Sequence, residues 1–298
     1  NVVIGDNACG DGALTGTSNI AIGTNAALNL SSGASNIVIG RAAGEELTTG
    51  SSNTFLGYSA AKGNASAPLT GEQNTCVGNS AGYKLQGADA DFNTFIGSNA
   101  GYDLTTGASN IAIGKAAAQN LITGGTNVII GNDAFGGAVG AESKNTAVGH
   151  QSLSAVVGDA DNLNTAIGYL AGYTITTGVQ NTALGASTLF DIDANNQTAV
   201  GYGATTASTG ANTIMMGNSS MTDIYMGDDQ NAWSQVSDRR LKRNIKDWNV
   251  GLDAINKLQI RQFQFNEDNV FGFAADKIRQ GIVAQEAMEA LPEMVKTN

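Results

Sequence analysis

The groups able to do chemistry are few, and they gather near one end of the chain. The run Ser237-Asp238-Arg239-Arg240-Leu241-Lys242-Arg243-Asn244-Ile245-Lys246 places a hydroxyl and an amine five residues apart among arginines. A serine hydroxyl attacks a carbonyl only once a base takes its proton. A lysine amine can be that base only where burial or neighbouring cations keep it neutral. Spacing alone assigns no such role, because Ser and Lys five apart occur by chance in any chain. Elsewhere the inventory is thin. His150 is the single histidine; it follows Gly149 in a variable position and reads as a surface turn residue. One histidine and no cysteine cluster give neither a zinc ligand set nor a Ser-His-Asp triad. Cys9 and Cys76 sit at different places in different repeats, without a CxxC partner, and read as small buried residues. The glycines form neither a GxGxxG opening a helix nor a P-loop, so no cofactor is expected. Asp159, Asp161, Asp191 and Asp193 lack the Gly-Gly-x-Gly-x-Asp array of a calcium solenoid, so no metal is expected either.

What must position the Ser237 segment is the rest of the chain, and that rest is a repeat. Asn, three residues of which the last two are apolar, and Gly recur from Asn1-Val2-Val3-Ile4-Gly5 to Asn181-Thr182-Ala183-Leu184-Gly185. Degenerate copies follow at Gln197–Gly201 and Thr213–Gly217. The closing glycines at 5, 23, 40, 57, 78, 97, 114, 131, 149, 168, 185, 201 and 217 mark thirteen units, mostly 16 to 19 residues apart with one step of 21. So short a period, held this long, predicts a solenoid in which each unit is stable only against its neighbours.

Within a unit, adjacent strand residues point to opposite faces, and the two residues before Gly are both apolar in all thirteen. Both faces of the strand are therefore expected to be buried, one inside the coil and the other against a copy of the same chain. Ala fills the third position after Gly in ten units and marks a close-packed contact. Asn opens eleven units; stacked, it predicts an amide ladder that also tolerates the backbone of the turn. Because every coil resembles every other, a one-unit slip between copies is expected to lose little.

Composition agrees with this picture. Glycine is high at 39, aromatics low at 6%, charge only 14%. Residues 1–236 carry five Lys/Arg against seventeen Asp/Glu, whereas residues 237–298 carry ten against nine. An acidic array disfavours nucleic acid, which asks for a basic stripe. No apolar run is long enough to cross a membrane as a helix. The chain opens inside a repeat without an initiator Met, and reads as a piece of a longer protein.

The period stops after Gly217. Residues 1–220 form the repeat shaft, 221–236 a last strand and linker, and 237–298 a small α+β module. In that module Val250–Leu258 reads as a short amphipathic helix and Ile260–Phe265 as a strand. Gly281–Glu286 leads into a helix whose Ala284, Ala287, Met288 and Leu291 share a face, closed by Pro292.

Two resemblances follow from these residues. The unit clearest at Asn164 to Gly172 resembles repeats of phage tail fibres, and also the head repeats of trimeric autotransporter adhesins. Both imply a mainly β, parallel homotrimeric β-helix or β-roll fibre. Ser237-Asp-x-Arg-Leu-Lys-x-Asn-Ile, followed by Gly281-Ile-Val-Ala-Gln-Glu and Leu291-Pro-Glu293, closely resembles the C-terminal intramolecular chaperone of endosialidase-type tailspikes. That resemblance covers 237–298 and implies a domain that directs trimerisation and then cuts itself off; the family usually continues into a long C-terminal helix. Carried over, Ser237 is the nucleophile, Lys242 the general base and Asn244 an oxyanion donor, with cleavage between Val236 and Ser237. The expected function is a structural shaft in a phage tail, outside the cell. Its partners would be its own copies, other tail proteins and a host-surface receptor such as a glycan or outer-membrane component. A bacterial trimeric surface adhesin is the alternative, and a glycan-processing tailspike ranks third.

Overall fold

The pentad makes a strand because its middle residues are β-branched, aromatic or small and its Gly forces the chain to turn. In the computed structural model this happens thirteen times. The structure describes residues 1–10, 14–158, 161–190, 193, 195–206, 210–221, 255–264, 266 and 278–290. The strands are β1 (Val2–Ile4), β2 (Ile20–Ile22), β3 (Ile37–Ile39), β4 (Thr54–Leu56), β5 (Thr75–Val77), β6 (Thr94–Ile96), β7 (Ile111–Ile113), β8 (Val128–Ile130), β9 (Thr146–Val148), β10 (Thr165–Ile167), β11 (Thr182–Leu184), β12 (Thr198–Val200) and β13 (Ile214–Met216). Each pairs in parallel with the next in sequence, so the sheet order is the chain order. The register never slips: Thr94 lies beside Ile111, Phe95 beside Ala112 and Ile96 beside Ile113. This is a parallel β-solenoid. The chain divides into two units, Asn1–Ile224 and Tyr225–Asn298.

Counting each coil from its ladder Asn, the third position points inward. Ala21, Val38, Phe55, Cys76, Phe95, Ala112 and Ile129 there are essentially inaccessible, as are the small eighth-position residues such as Ala26, Ala43, Ala100 and Ala117. A Leu on the return path closes the core at Leu30, Leu47, Leu69, Leu85, Leu104 and Leu121. From the fourth to the ninth coil large and small residues alternate at the third position, whereas coils nine to twelve all carry Ala there. A Cβ on Gly101 would lie 2.9 Å from ring carbons of Phe95, and one on Gly44 would lie 3.0 Å from the Phe55 ring. The closing Gly column is enforced by close approach and by backbone angle together. Gly97 has φ +133, and a Cβ there would come within 2.5 Å of the Gly114 carbonyl oxygen.

The amide ladder forms as expected. Asn110 donates from its backbone N–H and from Nδ2 to Oδ1 of Asn93 (3.0 and 3.1 Å), and again from Nδ2 to the Gly124 carbonyl (2.9 Å). Gln197 replaces Asn at the twelfth coil, its longer side chain reaching the Gly210 carbonyl while its Oε1 accepts from Thr206. The expectation that this Asn also absorbs the turn is corrected. The left-handed residue is the one before it, as at Ser35 (φ +58), Phe92 (+59) and Leu163 (+55). Two more left-handed positions follow the Gly, at Asn99 (φ +58) and Gly101 (+59) in the sixth coil. Inter-coil rungs hold them there: Asn99 N–H donates to the Asn79 carbonyl and Gly101 N–H to that of Ala117.

The other strand face turns outward. The second- and fourth-position side chains point away from the core, and within one chain they are not buried. Ile4 is 57% exposed, Leu184 48% and Ile167 42%.

In the second unit, β14 (Ile260–Phe263) pairs antiparallel with β15 (Arg279–Ile282), Ile260 opposite Ile282. α1 (Ala284–Ala290) follows at once. The expected strand at Ile260–Phe265 and the helix after Gly281 hold within a residue or two, and β15 is an additional element. Most of the helix expected over Val250–Leu258 lies outside the described residues. None of the described residues of this unit is buried.

Candidate functional site

The residues singled out for chemistry, Val236, Ser237, Lys242 and Asn244, lie outside the described residues. So do most of residues 221–236, and Leu291 and Pro292 after α1. What the structure describes of this unit is the scaffold around the Gly281–Glu286 part of the second signature. Glu286, in the first turn of α1, accepts from Arg261 on β14: Nε lies 3.1 and 2.9 Å from its two oxygens and Nη2 2.9 Å from Oε1. The hydrogen bonds and charge of Arg261 hold the Glu286 carboxyl below its ordinary value. This two-pronged clamp fixes the start of α1 against the middle of β14, and sequence reasoning did not find it. The signal was available only as an Arg on a strand and a Glu on a helix 25 residues later. With Lys257, Gln259, Glu289 and Ala290 the pair lines a shallow open cleft.

On the solenoid, two surfaces stand out. The first is the outer strand face. Its fourth-position row (Ile4, Ile22, Ile39, Leu56, Val77, Ile96, Ile113, Ile130, Val148, Ile167, Leu184, Val200, Met216) is apolar throughout. Its second-position row mixes aliphatic residues with Thr at 54, 75, 94, 146, 165, 182 and 198. The second surface is a cation–aromatic row. Arg41 lies over the Tyr58 ring (5.7 Å), Lys62 over Tyr83 (5.8 Å) and Lys84 over Tyr102 (5.8 Å), while Tyr83 and Tyr102 stack at 4.8 Å between ring centres. Two of the three cations are also paired, Lys62 with Glu45 and Lys84 with Asp103 at 2.6 Å, which offsets most of the row's charge. It braces neighbouring coils. His150 is exposed and stacks on Tyr169 at 5.3 Å, consistent with a surface turn residue. Cys9 and Cys76 are both free and buried, as read from the sequence, and burial pushes each thiol up and away from reactivity.

Glu142 is a buried carboxylate that the sequence did not flag. It occupies the turn position held by Gly in most coils, and its oxygens accept backbone N–H groups from Val139 (3.2 Å), Gly140 (2.9 Å) and Gly158 (3.0 Å). Three donors to a desolvated carboxylate make it a staple for two successive turns.

The described architecture is thus a long parallel β-solenoid in one unit and a small sheet-and-helix unit after it. A family model described as chaperone of endosialidase matches residues 237–296, the region of the second unit that carries both signatures. No curated protein matches the chain. The solenoid and this match together fit a fibre- or tailspike-like protein with a chaperone region at its C-terminal side.

Proposed function

We propose that this chain is a shaft segment of a homotrimeric phage tail fibre, and that residues 237–298 are an intramolecular chaperone that assembles the trimer and then releases itself. The observation that carries the reading is the match at 237–296 directly behind thirteen stacked coils. A solenoid of near-identical coils is slow to find its correct alignment, and a dedicated assembly module answers that problem.

Release follows from the chemistry of Ser237 and Lys242. The Lys242 amine, biased toward its neutral form by the charges of Arg239, Arg240 and Arg243, takes the Ser237 hydroxyl proton. Oγ attacks the Val236 carbonyl carbon, and Asn244 donates to the oxyanion. The Val236–Ser237 C–N bond breaks as the Ser237 nitrogen regains a proton. The resulting ester is hydrolysed by water to a Val236 carboxylate and a free Ser237 amine. Attack within one residue is intramolecular, so modest activation suffices. The shaft then serves in the virion, outside the cell, joined to other tail proteins and presented to a receptor on the host surface.

The test is a Ser237→Ala variant run beside the parent on a denaturing gel, with sedimentation of both. The parent should yield two bands and the variant one, each sedimenting as a trimer. An uncut parent rejects the self-processing step, and a monomeric parent rejects the fibre.

A further inference from the structure

The outer strand face has three properties that the rest of the solenoid surface does not share. No charged residue occurs at its second or fourth position in any of the thirteen coils, although the array around it is acidic. Its spacing is also invariant. From the ladder position to the small eighth position every coil has the same length, and all variation falls on the return path. The extra residues around Asn64–Ala67, which fold back through an antiparallel bridge, and those between Leu85 and Asp91 are cases in point. The amide ladder, the Gly column and the buried eighth position hold this length constant within one chain, and strand register survives the bulges. Finally, the hydroxyls of the seven second-position threonines make no hydrogen bond within the described residues, although each is only partly exposed.

An apolar stripe with a strict axial repeat fits a partner with the same repeat. Thirteen strands at about 4.8 Å make it about 60 Å long, and two side chains across make it about 10 Å wide, on the order of 600 Å² per chain. Two copies closing on it remove on the order of 1,200 Å² from water, the lower bound of stable specific interfaces, and a third copy adds to that. Phe92 and Leu163 at one margin and Tyr58 and Tyr169 at the other, all exposed, widen the stripe further.

Resting on the reading of the chain as a homo-oligomeric fibre, we propose that this face is where copies meet, parallel and in register. The fourth-position row lies at the dry centre and the threonine-bearing row at the wetter margin. The assignment of rows follows from polarity. A cyclic assembly brings identical residues together near its axis, and an unpaired hydroxyl there costs what any buried unsatisfied group costs. Only the fourth-position row is free of hydroxyls in all thirteen coils. The second-position row bears on the register between copies. It runs in unequal blocks, aliphatic at coils one to three, Thr at four to six, aliphatic at seven and eight, Thr at nine to twelve. A copy displaced by one coil therefore meets a layer of the other kind at the block edges, in four of twelve pairings.

The experiment uses the full chain, in which the native thiols are 5% and 0% exposed and give a low background. Ile130→Cys places a thiol in the fourth-position row, and Thr123→Cys places one on the exposed return path of the preceding coil. After mild oxidation, Ile130→Cys should give a disulfide-linked dimer on a non-reducing denaturing gel and Thr123→Cys should not. Ile96→Cys repeats the measurement in a second coil if the first variant does not fold. Ile167→Thr should lower the assembly constant by about tenfold or more, for one unpaired hydroxyl per copy, while Thr165→Val should leave it unchanged or raise it. If sedimentation gives an oligomer but the link forms through Thr123→Cys and not through the fourth-position row, the face is wrong and the fibre reading stands. A monomeric parent overturns the fibre reading itself.

Discussion

Replacing Asn110 by Ala removes one rung of the amide ladder, and its cost can be worked from the atoms left behind. The side chain donates from Nδ2 to the Gly124 carbonyl (2.9 Å) and to Asn93 Oδ1 (3.1 Å). Its own Oδ1 accepts the backbone N–H of Asn127 (3.1 Å) and Nδ2 of Asn127 (3.0 Å). After truncation Asn93 Oδ1 keeps the Asn110 backbone N–H, and Asn127 Nδ2 keeps the Glu142 carbonyl. The Gly124 carbonyl and the Asn127 N–H lose their partners, and both flank a fully buried position. At about 1–3 kcal/mol for each orphaned buried group, the loss is about 2–6 kcal/mol. In a stacked array that loss is local to the coil and its neighbours. Hydrogen exchange read by mass spectrometry should show protection falling by a factor of about 30 or more across residues 110–127 and little change across 19–40. Asn110→Asp sharpens the test. It keeps Oδ1 but sets a second oxygen against the Gly124 carbonyl and Asn93 Oδ1, so the folded state favours the protonated acid and the folded pKa lies above the unfolded value of about 3.9. Stability of that variant should fall as pH rises from the unfolded to the folded pKa and then level off. Unchanged protection at 110–127 in Asn110→Ala, or a loss spread evenly over the array, would refute the ladder as a local support.

Three further outcomes follow. Gly101→Ala sets a Cβ 2.9 Å from Phe95 at φ +59, and overpacking plus strain should cost about 2–4 kcal/mol in chemical denaturation. Adding Phe95→Leu should recover part of that loss, a coupling that a simple sum of two defects would not give. Glu142→Gln leaves one oxygen to serve three N–H groups and turns an amine toward a donor. It should cost about 1–3 kcal/mol and expose the amides of Val139, Gly140 and Gly158 to exchange. In the second unit, Arg261→Ala should let the Glu286 carboxyl titrate back at its ordinary value, read by NMR. Because the Glu286 pKa is depressed, whatever the pair contributes is present at neutral pH and lost as pH falls through the folded value.

The pentad was legible because its physics is local: alternation put Ala21, Val38 and Phe55 inside, and the Gly column could be nothing but Gly. The left-handed backbone at Ala118 (φ +51), Leu170 (+52) and Phe135 (+58) was not legible, since no turn propensity points to Ala, Leu or Phe there. Inter-coil rungs impose those angles, as when Ala118 N–H donates to the Ala134 carbonyl, and a rung is a contact between residues 16 apart in the chain. The same limit hid the Arg261–Glu286 clamp. Glu142 escaped notice because a lone acidic residue in a turn normally faces water. The outer strand face was legible as apolar, because one coil can enclose only its inward row. Of the candidate site, the Gly281–Glu286 part of the second signature falls on β15 and α1, while Ser237, Lys242, Asn244 and Leu291–Glu293 lie beyond the described residues.

The rungs between coils also set how the shaft responds to a pull. They run along the long axis, so axial tension loads the outermost set directly and the sets behind it only after the first has opened. Each coil stores about 17 residues of chain, an extended length of about 60 Å, in a rise of about 4.8 Å. A chain drawn from one end therefore lengthens in steps of about 55 Å, one coil at a time. It absorbs work at each step and leaves the coils behind intact.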